Sequence, residues 1–239
     1  MRRGLAMGVM VLLAVAGARA EDDFKVEDGF VSLFNGKDLT GWRYKGSKEN
    51  LEGKTETPDK RIAVENGVIV MREKDQAGKG GIKDLYTVKE FPRGFHLKVE
   101  FRAGPRADSG VYVRGPQLQV RDYLRRNEKK HLKEFKTDGW NTLDIVVRND
   151  VVTTLVNGQA LGEKDEFSLA FKDGKLKAAL NGKVVDPKSV QVRRGPIAEC
   201  RCNGEALEVM TNIPGTGGIG LQAESGKFEF RRVRVKEEK

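Results

Sequence analysis

The chain has 239 residues, a formal charge of +9 and 38% hydrophobic residues, enough for one all-β domain with a proper core. Its 44 basic residues are scattered among 35 acidic ones, so the surplus forms no basic stripe and nucleic acid is set aside as a partner. The only two cysteines, Cys200 and Cys202, build no disulfide framework, because a bridge across one intervening residue would be strained.

Residues 1–20 carry Arg2 and Arg3, an apolar run from Leu5 to Ala16, and Ala18-Arg19-Ala20 as a small-x-small site. This pattern predicts a secretory signal peptide, hence export to the periplasm or the extracellular space, with no membrane span once it is removed. The remainder, 21–239, reads as a single domain. Residues 46–61 are polar and bear Gly and Pro, which predicts a loop able to border a ligand site.

Strand signals then dominate. The alternation in 62–71 (IAVENGVIVM) is followed by 95–103 (FHLKVEFRA), where Phe95, Leu97, Val99 and Phe101 share one face and His96, Lys98, Glu100 and Arg102 the other. Strict period two marks a half-buried strand. In 108–122, Asp108, Gly110, Tyr112 and Arg114 share one parity, and after Gly115-Pro116 so do Gln117, Gln119 and Arg121, while Leu118 and Val120 point to the core. If these three strands are neighbours, one sheet face gathers Glu100, Arg102, Tyr112, Arg114, Gln117 and Gln119. That set of carboxylate, guanidinium, phenol and carboxamide suits a ligand rich in hydroxyls. The competing reading is a solvated face held by cross-strand ion pairs.

The basic cluster at 125–136 includes two glutamates and reads as a surface loop or short helix, 122–135 being the one stretch with helical character. Further strands are predicted at 142–148, 151–161, 175–186, 206–211, 218–223 and 227–235. Asn66-Gly67, Asn157-Gly158, Asp173-Gly174, Asn181-Gly182 and Asn203-Gly204 accept the positive φ angles of tight hairpins. Many short strands without a βαβ rhythm predict an antiparallel sandwich.

Several chemistries find no support. GTGGIG at 215–220 leads into a strand, not a helix, so it reads as a turn rather than a dinucleotide fingerprint. There is no nucleophile elbow, and His96 and His131 are the only histidines. Glu163, Asp165 and Glu166 cluster at a hairpin end, without the strand-face spacing of a two-carboxylate glycosidase. No cofactor is expected. Metal dependence stays open, with Asp108 and Asp122 either ligands or loop caps; Cys200 and Cys202 read as partly buried thiols.

The segments DGFVSLFNGKDLTGWRYKG, VENGVIV, FHLKVEFRA, DSGVYVRGPQLQVRD, DGWNTLDIVV, LVNGQAL and GGIGLQAESGKFEFRRVRV occur in this order between 28 and 235. Together they resemble the 3-keto-disaccharide hydrolase domain family. The resemblance implies a concanavalin A-like jelly-roll sandwich that cleaves glycosides oxidised at C3. A C3 ketone acidifies the C2 proton; a base removes it, and the C1 substituent leaves by β-elimination before water adds back. Such a route needs a base and a cradle for the enolate oxygen. Glu100 is the candidate base, Arg114 and Arg102 the cradle, and Tyr112, Gln117, Gln119 and Glu224 further substrate contacts. The family pattern has Glu-x-Gln where this chain has Gln117-Leu118-Gln119. Glutamine is no base, so if that glutamate is the catalyst, this chain binds without cleaving. Glu224 stands where many members carry histidine, and 162–213 is longer than the usual link, a subfamily insertion or an extra hairpin. A lectin-like binding module and a structural envelope protein remain as alternatives on the same fold.

Overall fold

The computed structural model describes residues 24–45, 49–74, 81–162 and 164–239. The signal-peptide reading of 1–20 lies outside these residues. The strands are, in order, β1 (Val31–Ser32), β2 (Trp42–Tyr44), β3 (Ile62–Glu65), β4 (Val68–Met71), β5 (Lys83–Thr87), β6 (Phe95–Ala103), β7 (Asp108–Val113), β8 (Gln117–Arg121), β9 (Asn141–Val156), β10 (Gln159–Ala160), β11 (Phe167–Lys172), β12 (Lys175–Leu180), β13 (Lys183–Val185), β14 (Val190–Cys202), β15 (Glu205–Met210), β16 (Ile219–Ala223) and β17 (Phe228–Glu237). All pairings are antiparallel, from β1 with β17 to β7 with β8.

One sheet runs β15-β14-β9-β6-β17-β4-β3, with β1 and β10 attached; a second runs β2-β5-β16-β7-β8; a third comprises β11-β12-β13. The first two form the sandwich. Period-two alternation sends Phe95, Leu97, Val99 and Phe101 of β6 inward, with Leu143, Ile145 and Val147 of β9 beside them. Val111 and Val113 of β7, Leu118 and Val120 of β8, and Ile219 and Leu221 of β16 belong to the same core cluster. Full burial of each such side chain contributes about 1.5–3 kcal/mol.

The Asx-Gly pairs do what their chemistry predicts. Asn66, Asn157, Asp173, Asn181 and Asn203 have φ between 49° and 55°, and each following glycine also has positive φ. Two successive residues in this region match the right-handed twist of the strands they join. The pairs join β3 to β4, β9 to β10, β11 to β12, β12 to β13 and β14 to β15.

Three expectations change. Residues 142–148 and 151–156 belong to a single strand, β9, which runs the length of the sandwich and beyond it. The helical reading of 122–135 gives way to a series of turns, with Asn127 and Lys129 at positive φ. This loop is tied down by Lys129 and His131, which contact the carbonyls of Leu207 and Ala206. Cys200 and Cys202 are fully rather than partly buried and free, and burial pushes the Cys202 thiol up to about 12. The small β11–β13 sheet carries an outward apolar row, with Phe171 76% exposed. Among the described residues no helix is long and apolar enough to cross a membrane.

Candidate functional site

The outer face of the five-stranded sheet is built in cross-strand rows. In one row Arg43, Tyr86, Gly220, Tyr112 and Gln117 lie side by side across β2, β5, β16, β7 and β8. The next holds Asp84 opposite Gln222 and Gly110 opposite Gln119. Both glycines are obligatory for what covers them. A Cβ on Gly220 would stand 2.8 Å from a ring carbon of Tyr86 and 3.0 Å from one of Tyr112. The two rings therefore close over that glycine, stacked with centroids 5.1 Å apart. A Cβ on Gly110 would stand 2.0 Å from Nε2 of Gln117, so the Gln117 amide lies across bare backbone.

A hydrogen-bonded chain results. Gln117 Nε2 donates to Gln222 Oε1 at 2.6 Å, Gln222 Nε2 donates to the Tyr112 hydroxyl, and that hydroxyl donates to Asp84 Oδ1 at 3.0 Å. Lys45 Nζ reaches Asp84 Oδ2 at 3.1 Å. Asp84 is only 7% exposed, whereas the Lys45 side chain is 60% exposed, so the carboxylate is held within the sheet and its cationic partner is open to solvent. The Lys45 ammonium also stands 5.8 Å from the centroids of both tyrosine rings, and the Arg43 guanidinium 5.5 Å from that of Tyr86. Burial, then the Asp84 charge, push the Tyr86 phenol up to about 12, with Arg43 opposing. The same two causes hold the Tyr112 phenol well above its ordinary value. Both phenols thus stay protonated at neutral pH; the Tyr112 proton is given to Asp84, and the Tyr86 hydroxyl can donate to a ligand. A carboxylate, a neighbouring ammonium, two phenols and two carboxamides on one face can bind hydroxyls, accept a proton and steady a developing oxyanion.

Tyr112, Gln117 and Gln119 do share this face, and Glu224 follows β16 on the parity of Gln222, half-buried. Gln119 is occupied with Asp108, donating to Oδ1 at 2.8 Å, where Arg121 also donates at 2.8 Å. Arg126 takes the other Asp108 oxygen at 3.3 Å. Asp122 accepts from the Arg106 backbone N–H and from Arg125. Both aspartates therefore cap and brace the loop after β8. Among the described residues no group of three His, Cys, Asp or Glu side chains could hold a metal ion.

The expected gathering of Glu100 and Arg102 with these residues is incorrect. Strand β6 pairs with β9 and β17, not with β7, because the turn at 104–107 carries the chain into the other sheet. Glu100 and Arg102 lie on the outer face of the nine-stranded sheet. Glu100 is 7% exposed and held by Arg231 at 2.8 Å and Arg232 at 2.9 Å. Arg102 pairs with Glu229 and packs on the Trp140 ring. Arg114 is also misassigned as an active-face residue. It follows the last residue of β7 with φ +55°, which turns its side chain out of the strand's alternation. The buried guanidinium donates to Asn149 Oδ1 at 2.7 Å and to the carbonyls of Pro214 and Arg93, above the Phe95 ring. It clamps loops; the 215–218 turn packs on its backbone, since a Cβ on Gly217 would stand 2.8 Å from Arg114 Cα.

Asp84, Tyr86, Gln222 and Lys45 are absent from the sequence-derived set. For the first three the signal was present as alternation: Leu85 between Asp84 and Tyr86, and Ile219, Leu221 and Ala223 between Gly220, Gln222 and Glu224. The 49–61 stretch borders the β2 end of this sheet, where the Tyr44 hydroxyl donates to Asp59 at 2.5 Å; residues 46–48 of the predicted loop lie outside the described residues.

Among solved structures the chain is similar to two proteins of Parabacteroides distasonis ATCC 8503 provisionally assigned as glycosyl hydrolases. One is 19% identical, over 92% of this chain and 100% of that one, with a TM-score of 0.46; the other is 17% identical, over 87% and 99%, with a TM-score of 0.45. A β-glucanase of Bacillus licheniformis is 11% identical, over 88% of this chain and 97% of that one, with a TM-score of 0.38. No curated protein matches. Residues 29–236 match the 3-keto-alpha-glucoside-1,2-lyase-like domain, and the chain therefore belongs to that carbohydrate-active family.

Proposed function

We propose that the chain binds a 3-keto-glycoside on the outer face of the five-stranded sheet and cleaves its glycosidic bond. The observation that carries this reading is the Asp84 carboxylate with the Lys45 ammonium 3.1 Å away, beside the phenols of Tyr86 and Tyr112 and the carboxamides of Gln117 and Gln222. Asp84 takes the proton from C2, and the C2–H electrons form an enolate whose charge rests on the C3 oxygen. Lys45 and the Tyr86 hydroxyl stabilise that oxygen. The enolate then expels the C1 oxygen, which takes from Asp84 the proton that came from C2, and water adds across C1 and C2 to give the free 3-keto sugar. Tyr86 and Tyr112 offer ring surface to the substrate, and Tyr86 a hydroxyl donor. Glu100 takes no part, since two arginines on the far sheet occupy it.

Asp84→Asn, with the fold intact, is expected to lower sugar release from a 3-keto-glucoside by about 10²- to 10⁴-fold, the usual contribution of a positioned base. Undiminished release would remove Asp84 from the role. A second reading rests on Gln117 in place of the family glutamate: a lectin-like module that binds without turnover. It predicts binding by the wild-type chain without release, and turnover in Gln117→Glu. The leader-like residues 1–20 support export to the periplasm or beyond; amino-terminal sequencing of the mature protein tests it, with cleavage after Ala20 expected.

A further inference from the structure

Beside the Tyr112–Gln117 end of this face, the sandwich is open at its edge. β8 is the last strand of the five-stranded sheet and β15 the last of the nine-stranded one. Between them, with the β9–β10 hairpin as a third wall, lies a cleft of 620 Å³, within the range of small-molecule sites. Its lining joins Pro116, Leu207, Val209 and Met210 to the amides of Gln117 and Gln159 and to the exposed Glu208 carboxylate, which repels anions and can accept from a ligand's hydroxyl. The cation in the cleft is engaged, since Lys129 Nζ donates to the Leu207 carbonyl at 3.2 Å. Gln117 belongs to both places. Its Nε2 is fixed by Gln222, while among the described residues its Oε1 accepts no hydrogen bond and is free to meet a ligand's hydroxyl.

We infer that this cleft is the subsite for the departing part of the glycoside, and that it takes an uncharged ring with an apolar face and hydroxyls at its edge, a second sugar or a phenolic alcohol. The inference rests on the proposed cleavage site on the same face, because the leaving group must lie next to the sugar that is attacked. It also gives a use to the long 162–213 segment, since β15 and the residues after it form one wall of the cleft.

The test measures binding of phenyl glucoside and methyl glucoside, neither oxidised at C3, by ligand-observed NMR with the full chain. The wild type is expected to bind the phenyl compound about tenfold more tightly, equivalent to about 1.4 kcal/mol. Val209→Lys and Gln159→Trp, both at exposed positions, are expected to erase that preference while leaving the methyl compound unaffected. Asp84→Asn should keep it. A wild type without preference, or variants that retain it, would overturn the cleft assignment even if Asp84→Asn abolishes cleavage. Conversely, a preference erased by both variants supports the cleft even if no 3-keto-glucoside is cleaved, and in that case only the catalytic reading fails.

Discussion

The two outer faces of the sandwich are both polar, but they are polar in different ways. On the nine-stranded sheet nearly every charge meets its opposite. Glu100 lies between Arg231 and Arg232, Arg102 meets Glu229, His96 meets Asp144, and Lys98 and Arg234 converge on Glu27. The Glu100 site even requires a bulge. Register shifts between Arg231 and Arg234, with Arg232 at φ +48°, so that two consecutive arginines face the same carboxylate. On the five-stranded sheet Asp108 pairs with Arg121 and Arg126 at the β8 edge, but in the central rows the charges are Arg43, Lys45 and Asp84, and the surface is carved by glycines that let tyrosine rings and an amide lie against backbone. A face that neutralises itself has little left for a ligand. A face with a fixed carboxylate, an exposed lysine and unfilled hydrogen-bonding capacity does.

Substitutions on the two faces should therefore separate activity from stability. The largest effect is expected from the pair Asp84→Asn and Glu100→Gln. The first should lower turnover of a 3-keto-glucoside by about 10²- to 10⁴-fold in protein that remains folded. The second should leave turnover within about twofold and lower stability by about 1.5–3 kcal/mol, the range for hydrogen bonds to a charged group, measured by urea unfolding. A loss of turnover in Glu100→Gln at full folding would reverse the assignment of the faces.

A finer test acts on the glycines. Gly220→Ala puts a methyl 2.8 Å from the Tyr86 ring, and moving a ring off its rotamer costs about 0.5–1.5 kcal/mol. KM for a 3-keto-glucoside should rise by up to about tenfold while the core is untouched. Gly204→Ala, whose Cβ would meet nothing within 4 Å, should pay only for its positive φ and leave KM unchanged. Equal KM values in the two variants would mean that the stacked tyrosines are not part of the binding surface.

The hairpins and the core were legible because their determinants are local. Asx-Gly pairs set the turns, and alternation in 95–103 and 117–121 set which side chains go inward. Alternation cannot say which sheet a strand joins. Residues 95–103 and 108–113 are consecutive strands, yet the turn at 104–107 sends them to opposite layers, and this misplaced Glu100 and Arg102. Arg114 was misread because parity stops at the strand's end, and its φ of +55° depends on the packing of 215–218. Asp84 and Tyr86 went unnoticed because β5 is short and shows one aliphatic residue, Leu85, between polar ones; its strand character comes from pairing with β2 and β16.

The smallest expected effect concerns pH and belongs wholly to the self-neutralised face. The Arg234 hydrogen bonds hold the Glu27 carboxyl down at about 2, with burial opposing and Lys98 assisting. A carboxyl depressed in the folded state adds stability that is complete above its ordinary value of 4.5 and is lost as pH falls from there through about 2. The Glu27 side chain is 39% exposed, so screening keeps the contribution small and makes it fall further with salt. The melting temperature of the wild type should therefore drop more steeply between pH 4.5 and 2 than that of Glu27→Gln, and the two curves should approach each other at high ionic strength. Parallel curves would mean that Glu27 gains nothing from Arg234 on folding, and that the pairing on this face is geometry without energy.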